Sequence, residues 1–279
     1  MKKFIKRKSI AIIVTLNIIM LIWYIAPMYW AFITSIKEKS EIYANPPSLI
    51  PKTFTLSNYL KIFTVKDGQY MGYFANSVAI TLFTVFIVCA ISTSAGFAFS
   101  KLDLVAKKLW MTLILMAIMV PGQALMIPLY NTISQLHLLN TKFALILVYS
   151  TFQSPFCIYM MKSSFDSVPK DLAEAAYIDG ASRLQTFSKI YMPLTLTGVV
   201  TIAIYVTYNT WNDYVMALVF AGKATKTFNV GLVNMAMGEY STDWGLLTSG
   251  SFIGLLPILI LFLFLQKYFV KGMMSGALK

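Results

Sequence analysis

Charge is scarce in this sequence. Charged residues make up 12% of its 279 residues and hydrophobic ones 58%, against about 25% and roughly 45–50% in ordinary soluble domains. So few charges do not cover the exterior of a soluble body of this size. Disorder, which requires low hydrophobicity, is excluded on the same ground. Cysteine and histidine are scarce as well. Cys89 and Cys157 both fall in apolar stretches and read as small core residues, which excludes a disulfide-stapled module. A single histidine, His137, argues against a His-based metal site or proton relay, so no metal ligands are expected. What remains is a membrane protein.

Catalytic signatures are also missing. Gly222-Lys223-Ala224 contains the Gly-Lys pair of a phosphate loop, but Ala217 stands where that loop requires glycine and Ala224 where it requires Ser or Thr. No His-Glu-x-x-His run occurs, and no intramembrane histidine is present to serve a nucleophile. The sequence therefore reads as a protein with no enzyme site and no cofactor of its own. The formal net charge of +12 is spread between apolar blocks, not gathered on one face, so no nucleic-acid partner is expected.

The long apolar runs carry the fold. A hydrocarbon layer of about 30 Å takes about 20 helical residues to cross. Six uncharged stretches meet this, with spans expected near residues 10–34, 76–98, 109–130, 143–161, 195–219 and 248–266. They are continuously apolar and not alternating, so helices are predicted and a membrane β-barrel is not. Lys2, Lys3, Lys6, Arg7 and Lys8 precede the first run. That run is longer than a signal peptide's, and Ile25-Ala26-Pro27-Met28 offers no small-x-small cleavage site, so it reads as an uncleaved anchor.

Six spans place both termini on one side. If that side is the cytoplasm, 15 Lys/Arg lie in the inner segments (1–9, 99–108, 162–194, 267–279) and 8 in the outer ones (35–75, 131–142, 220–247). The positive-inside rule favours this orientation. Pro27, Pro121, Pro128, Pro155 and Pro257 lie in or beside spans and mark where helices bend.

Between the fourth and fifth spans, Ser167-Val168-Pro169-Lys170-Asp171 reads as the start of a short helix, with Ser167 as N-cap and Asp171 at the positive end of the dipole. Gly180 ends it. Ser182 and Gln185 form a capping-box pattern that opens a second helix, with Leu184, Phe187 and Ile190 expected on one face and Pro193 closing it. The first helix carries Asp171, Glu174 and Asp179 where a lipid-surface helix would carry Lys/Arg, so a protein partner fits better than anionic lipid.

Glu174-Ala175-Ala176, then Asp179-Gly180, Ile190 and Pro193-Leu194, resemble the signature loop of permease subunits in binding-protein-dependent ABC importers. Asn76-Ser77, Pro121 with Ile127-Pro128-Leu129-Tyr130, Leu139-Asn140-Thr141, Trp211-Asn212-Asp213-Tyr214, Thr242-Asp243-Trp244-Gly245 and the stretch from Gln266 to Gly272 resemble the sugar-importing, maltose-type branch. Tyr191-Met192 stand where that family more often has a leucine before the proline, a departure expected to be without consequence.

The resemblance implies an all-α, six-span type I permease fold forming one domain over residues 1–279, with a cytoplasmic coupling segment at 166–194. It implies a bacterial cytoplasmic membrane location with both termini inside. In the family this loop docks in a groove of the ATPase subunit, so the resemblance assigns ATPase coupling to Glu174, Ala175, Ala176, Asp179, Gly180, Ile190 and Pro193. The implied partners are a homologous second permease, two ATPase subunits that use ATP and Mg, an external solute-binding protein, a sugar and membrane lipid.

Two further groups are candidates. Asn209, Trp211, Asn212 and Asp213 combine aromatic rings with amide and carboxylate groups, a set that suits a sugar pathway; interfacial aromatic belts and structural hydrogen bonds remain alternatives. In the family the outer loop corresponding to 221–245 reaches into the docked binding protein, so the resemblance implies a contact there at Gly231, Asn234 and Gly238. Glycines let a loop tip enter a cleft; a mobile connector is the alternative. A stand-alone secondary carrier or channel, or ABC import of a non-sugar solute, remains open. Ion coupling would call for intramembrane charge pairs, and Asp213 is nearly alone.

Overall fold

A computed structural model of the chain describes residues 2–64, 68–237 and 241–277. Backbone in hydrocarbon must satisfy its own hydrogen bonds, and among the described residues the apolar runs are helical. In chain order the helices begin with α1 (Lys2–Ser35), α2 (Lys39–Ile42), α3 (Ser57–Thr64) and α4 (Gln69–Lys101). There follow α5 (Lys107–Ile118), α6 (Met126–Gln135), α7 (Lys142–Asp166), α8 (Asp171–Ile178), α9 (Arg183–Thr186) and α10 (Met192–Leu194). The last are α11 (Leu196–Asn212), α12 (Val215–Phe220), α13 (Phe228–Ala236) and α14 (Trp244–Ala277). Two compact units form, Met1–Met71 with Leu232–Leu255, and Gly72–Gly231 with Leu256–Lys279.

Four helical stretches are long and apolar enough to cross a membrane: Ile12–Ser35, Gln69–Lys101, Lys142–Asp166 and Trp244–Leu265. Two bent pairs bring the number to six when each is taken as one span. They are Lys107–Ile118 with Gly122–Gln135, bent by 89°, and Arg183–Leu194 with Leu196–Asn212, bent by 71°. The expected span near 109–130 is therefore not straight. Pro121 takes an extended conformation (ψ 122°) and has no N–H to offer, so the helix stops at Ile118 and restarts through a 3₁₀ turn, Gly122–Leu125. The expected span near 195–219 likewise ends at Asn212, because Asp213 is extended (ψ 136°) and α12 is a separate short helix.

In the first unit every side chain of α1 from 12 to 30 is exposed, as befits an apolar anchor, and burial begins at Ile33. The free carbonyls at its C-terminal end are met by Asn58, whose amide donates to Ser35 O (3.1 Å) and Lys37 O (2.9 Å). The Ser249 hydroxyl donates to Asn58 O (3.1 Å), and Asp243 caps α14 by accepting from the Leu246 amide (3.0 Å). Glu41 organises the segment between α2 and α3. It accepts from the Ser48 hydroxyl (2.5 Å) and from the amides of Lys52 (2.9 Å) and Thr53 (3.4 Å). The Ser48 bond first, then the Lys52 amide, holds its carboxyl below the usual carboxylate range.

In the second unit α4 and α7 contribute to two apolar clusters, joined in one by α6 and α12 and in the other by α11 and the turn at Tyr191. One gathers Ile80, Ile133, Leu145, Tyr149 and Phe220, the other Val88, Cys157, Met161, Phe165, Tyr191 and Ile202. Gly96 of α4 lies against α7 so closely that a Cβ there would stand 2.6 Å from Met161 Cβ and 2.8 Å from Lys162 N. Gly198 of α11 similarly admits the Ser164 side chain. Small residues let helices approach at backbone distance, where dispersion contacts are densest.

The Glu41 network gives a signed pH prediction. Because its pKa is lowered on folding, its stabilising contribution is complete above the unfolded value of about 4.3 and is lost as pH falls through the folded value. Glu41→Ala should speed amide exchange at residues 48–53 at pH 7, with the difference from wild type shrinking below about pH 4. An equal difference at pH 7 and pH 3 would contradict this assignment.

Candidate functional site

The helix–Gly–helix segment after α7 forms as expected, with two changes. Ser167 does not cap α8; it ends α7, its hydroxyl donating to Ser164 O (2.7 Å), and Lys170 is the residue before α8. Asp171 and Glu174 occupy the first turn of α8, where the helix dipole favours negative charge. Gly180 turns the chain with φ +82°. It is surrounded by open space, so glycine is needed there for its backbone angle and not for room. The Ala181 amide donates to Ala176 O (2.9 Å) to close the turn. Ser182 and Gln185 make both bonds of the capping box.

The second change concerns the end of the segment. A π-turn, Phe187–Tyr191, follows α9. It shifts the side-chain register, so Leu184, Phe187 and Ile190 do not share one buried face. Leu184 is exposed and the other two are half-buried, while Thr186 and Tyr191 are buried. Tyr191, a departure expected to be without consequence, packs into the second apolar cluster.

Of the residues assigned to coupling, Glu174, Ala175, Asp179, Gly180 and Pro193 are exposed, Ile190 is half-buried and Ala176 is buried. Ala176 lies with Ala173 on the face of α8 that turns toward the chain's own interior. The small side chains thus seat α8 on its own body as much as they narrow its outer face. That outer face carries Asp171, Glu174 and Asp179 together with exposed Leu172, Tyr177 and Ile178. It is an acidic surface with apolar anchors, and it offers both charge complementarity and buried area to a partner.

The four polar and aromatic residues near the end of α11 separate into two pairs. Trp211 is buried edge-on against Phe74 at 5.4 Å, and its carbonyl accepts from the Asn229 amide (2.9 Å). Asp213 Oδ2 accepts from the Tyr149 hydroxyl (2.8 Å) and from the Ala217 amide (3.0 Å), capping α12. Both are fastened inside. Asn209 and Asn212 are exposed, as is Tyr208 on the same side of the helix. Their amide groups donate to Tyr205 O (2.8 Å) and Tyr208 O (2.9 Å). Tyr208 was not among the sequence candidates; its position three residues before Trp211 carried no signal that the neighbouring belt residues lacked.

The described residues of 221–245 form an anchored stretch with a helix, α13, and not a flexible glycine loop. Asn76 ties it down by donating to Ala224 O (2.9 Å) and Lys226 O (3.0 Å), and Ser77 Oγ accepts from the Phe228 amide (2.8 Å). Gly231 is buried within α13, and a Cβ there would collide with the Tyr73 ring. A Cβ on Gly222 would stand 2.6 Å from that of Asn140. These glycines serve close packing, not a positive φ. Asn234 is exposed on α13, and Gly238 lies outside the described residues.

Residues 92–275 match the family described as binding-protein-dependent transport system inner membrane component. The chain is 32% identical over 262 residues to the sulfoquinovosyl glycerol transport system permease protein SmoH of Agrobacterium fabrum, covering 94% of this chain and 91% of that one. It is 34% identical over 255 residues to the trehalose transport system permease protein SugB of Mycobacterium tuberculosis, covering 91% and 92%. Among solved structures, a chain of a bacterial ABC transporter involved in the import of the acidic polysaccharide alginate superposes with a TM-score of 0.84 at 22% identity. That match covers 94% of this chain and 97% of the other, and it shows a shared fold.

The division at the end of α11 is testable by stability alone. Asp213→Ala leaves a buried hydroxyl and a helix start without their acceptor and should destabilise the purified protein by about 1–3 kcal/mol. Asn212→Ala should stay within about 0.5 kcal/mol of wild type. Thermal unfolding in detergent reads both, and equal losses would show that the two residues are held alike.

Proposed function

The chain belongs to the family of binding-protein-dependent transport system inner membrane components, and on that premise we propose that it is the membrane-spanning subunit of an ABC importer that takes up a carbohydrate. The observation that carries this reading is the exposed acidic face of α8, presented on a helix–Gly–helix projection of a permease fold. A surface of that kind serves a docking partner, and the chain carries no phosphate loop of its own. ATP hydrolysis therefore falls to separate ATPase subunits, which receive α8 in a groove on the cytoplasmic side. Glu174 supplies a charged hydrogen bond there, and Ala175 permits close approach. A second, homologous permease completes the pathway, and an external binding protein delivers the solute.

Carbohydrate is favoured as substrate by two kinds of support. The similar proteins SmoH and SugB are named for transport of sulfoquinovosyl glycerol and trehalose. Tyr208, Asn209 and Asn212 give α11 an exposed group of one ring and two amides near its end. Lipid is a poor neighbour for such side chains. Rings stack on sugar faces and amides bond hydroxyls, so this group is the part of α11 that lines the pathway, while Trp211 and Asp213 hold its frame. Asn234 remains the accessible member of the proposed contact with the binding protein. Both termini lie in the cytoplasm of a bacterial cell in this reading.

Reversing the charge in the dock tests it. In proteoliposomes holding the co-purified subunits and the binding protein, Glu174→Lys should lower ATP-dependent uptake of a labelled oligosaccharide at least about tenfold, by replacing attraction with repulsion. The variant chain should remain inserted in the membrane. Full uptake with normal ATPase association would remove the basis for assigning α8 to coupling.

A further inference from the structure

The chain leaves the membrane-spanning helix α7 at Asp166 and returns through Tyr191, and one side chain of α4 touches both ends of that excursion. The Lys101 ammonium donates to Val168 O (2.7 Å), just before α8, and lies 5.1 Å from the centroid of the Tyr191 ring, just after α9. Val168 O belongs to the unpaired carbonyls past the end of a helix, which favour a cation. The Tyr191 ring offers its negative face to the same charge. The neighbouring acid, Asp166, is occupied by the Ser100 hydroxyl (2.6 Å) and by Lys162 (2.5 Å). Lys101 therefore spends its hydrogen bond on the carbonyl and faces the ring, with Asp166 attracting it through space.

One turn earlier, Phe97 completes the attachment. Its ring lies 5.6 Å from Phe165 at the end of α7, and 4.8 Å from Phe187 and 5.4 Å from Tyr191 in the π-turn. Ala173, on the inner face of α8, is buried in the same cluster. Gly96, beside Phe97, fixes α4 against α7 at backbone distance. The helix–Gly–helix segment is therefore joined at both ends to the last turns of α4 through Lys101 and Phe97.

We infer that Lys101 is a positioning residue for energy coupling: with Phe97 it clamps both ends of the coupling segment to α4 and so passes movement of α8 into that membrane helix. This rests on the proposed coupling role of α8, but the clamp itself is readable without it.

Hydrogen exchange on the co-purified complex, with and without the non-hydrolysable nucleotide AMP-PNP, tests the clamp. In wild type the nucleotide should change exchange both in α8 and at residues 92–101. In Lys101→Met the α8 response should persist while the response at 92–101 is lost, and Lys101→Arg should restore it. A Lys101→Met complex that transmits the full response, a wild type with no response at 92–101, or failure of arginine to rescue would each overturn the inference. If the wild-type chain retains no ATPase subunit, the proposed function fails, and the clamp is then judged on the chain without nucleotide. Lys101→Met should there speed exchange in α8 about tenfold, through loss of a charged hydrogen bond. Unchanged exchange would overturn it.

Discussion

The backbone contact between α4 and α7 at Gly96 is the constraint from which the arrangement of the second unit follows. With no side chain at that position, two long apolar helices meet at a distance that no other residue permits. Their last turns then lie side by side, which brings Phe97, Ser100 and Lys101 onto Phe165, Asp166 and Val168. The excursion that carries α8 and α9 starts and ends on this platform. The packed aromatic floor beneath α8 seats it firmly on α4 and α7.

Away from that floor, polar groups are used to finish helices. Asp213 and Asp243 each cap the start of a short or long helix, Asn58 closes the end of α1, and Asn76 and Ser77 hold the stretch around 224–228. In an apolar chain an unmatched backbone group costs more than in water, so these few side chains are spent where helices break. The polar residues of α11 that are not spent this way, Asn209 and Asn212, are exposed. The division in that helix between residues fastened inside and residues left exposed follows from long-range bonding and packing, not from residue type.

Much of the fold was legible in advance because continuous apolar length is a strong signal, and the capping box and the turn glycine at 180 are local ones. What was illegible depended on long-range packing. Pro121 announced a bend but not an 89° one, since the angle is set by what packs on either side. The glycines at 222 and 231 looked like loop residues because sequence does not reveal that Asn140 and Tyr73 fill the space beside them. Ala176 resembled its neighbour Ala175, and only the seat of α8 distinguishes an inward alanine from an outward one. Lys101 read as one of several basic flanking residues, since its two partners lie 67 residues on, at Val168, and farther still, at Tyr191.

The central claim is that the outer face of α8 meets an ATPase on the cytoplasmic side of the membrane. A single cysteine at Ala175, which is exposed, in a background with Cys89 and Cys157 replaced by alanine, addresses it directly. In cells co-expressing the partner subunits, this thiol should cross-link to the ATPase and stay unmodified by a membrane-impermeant reagent applied outside. Modification from outside, with no cross-link to the ATPase, would contradict the account.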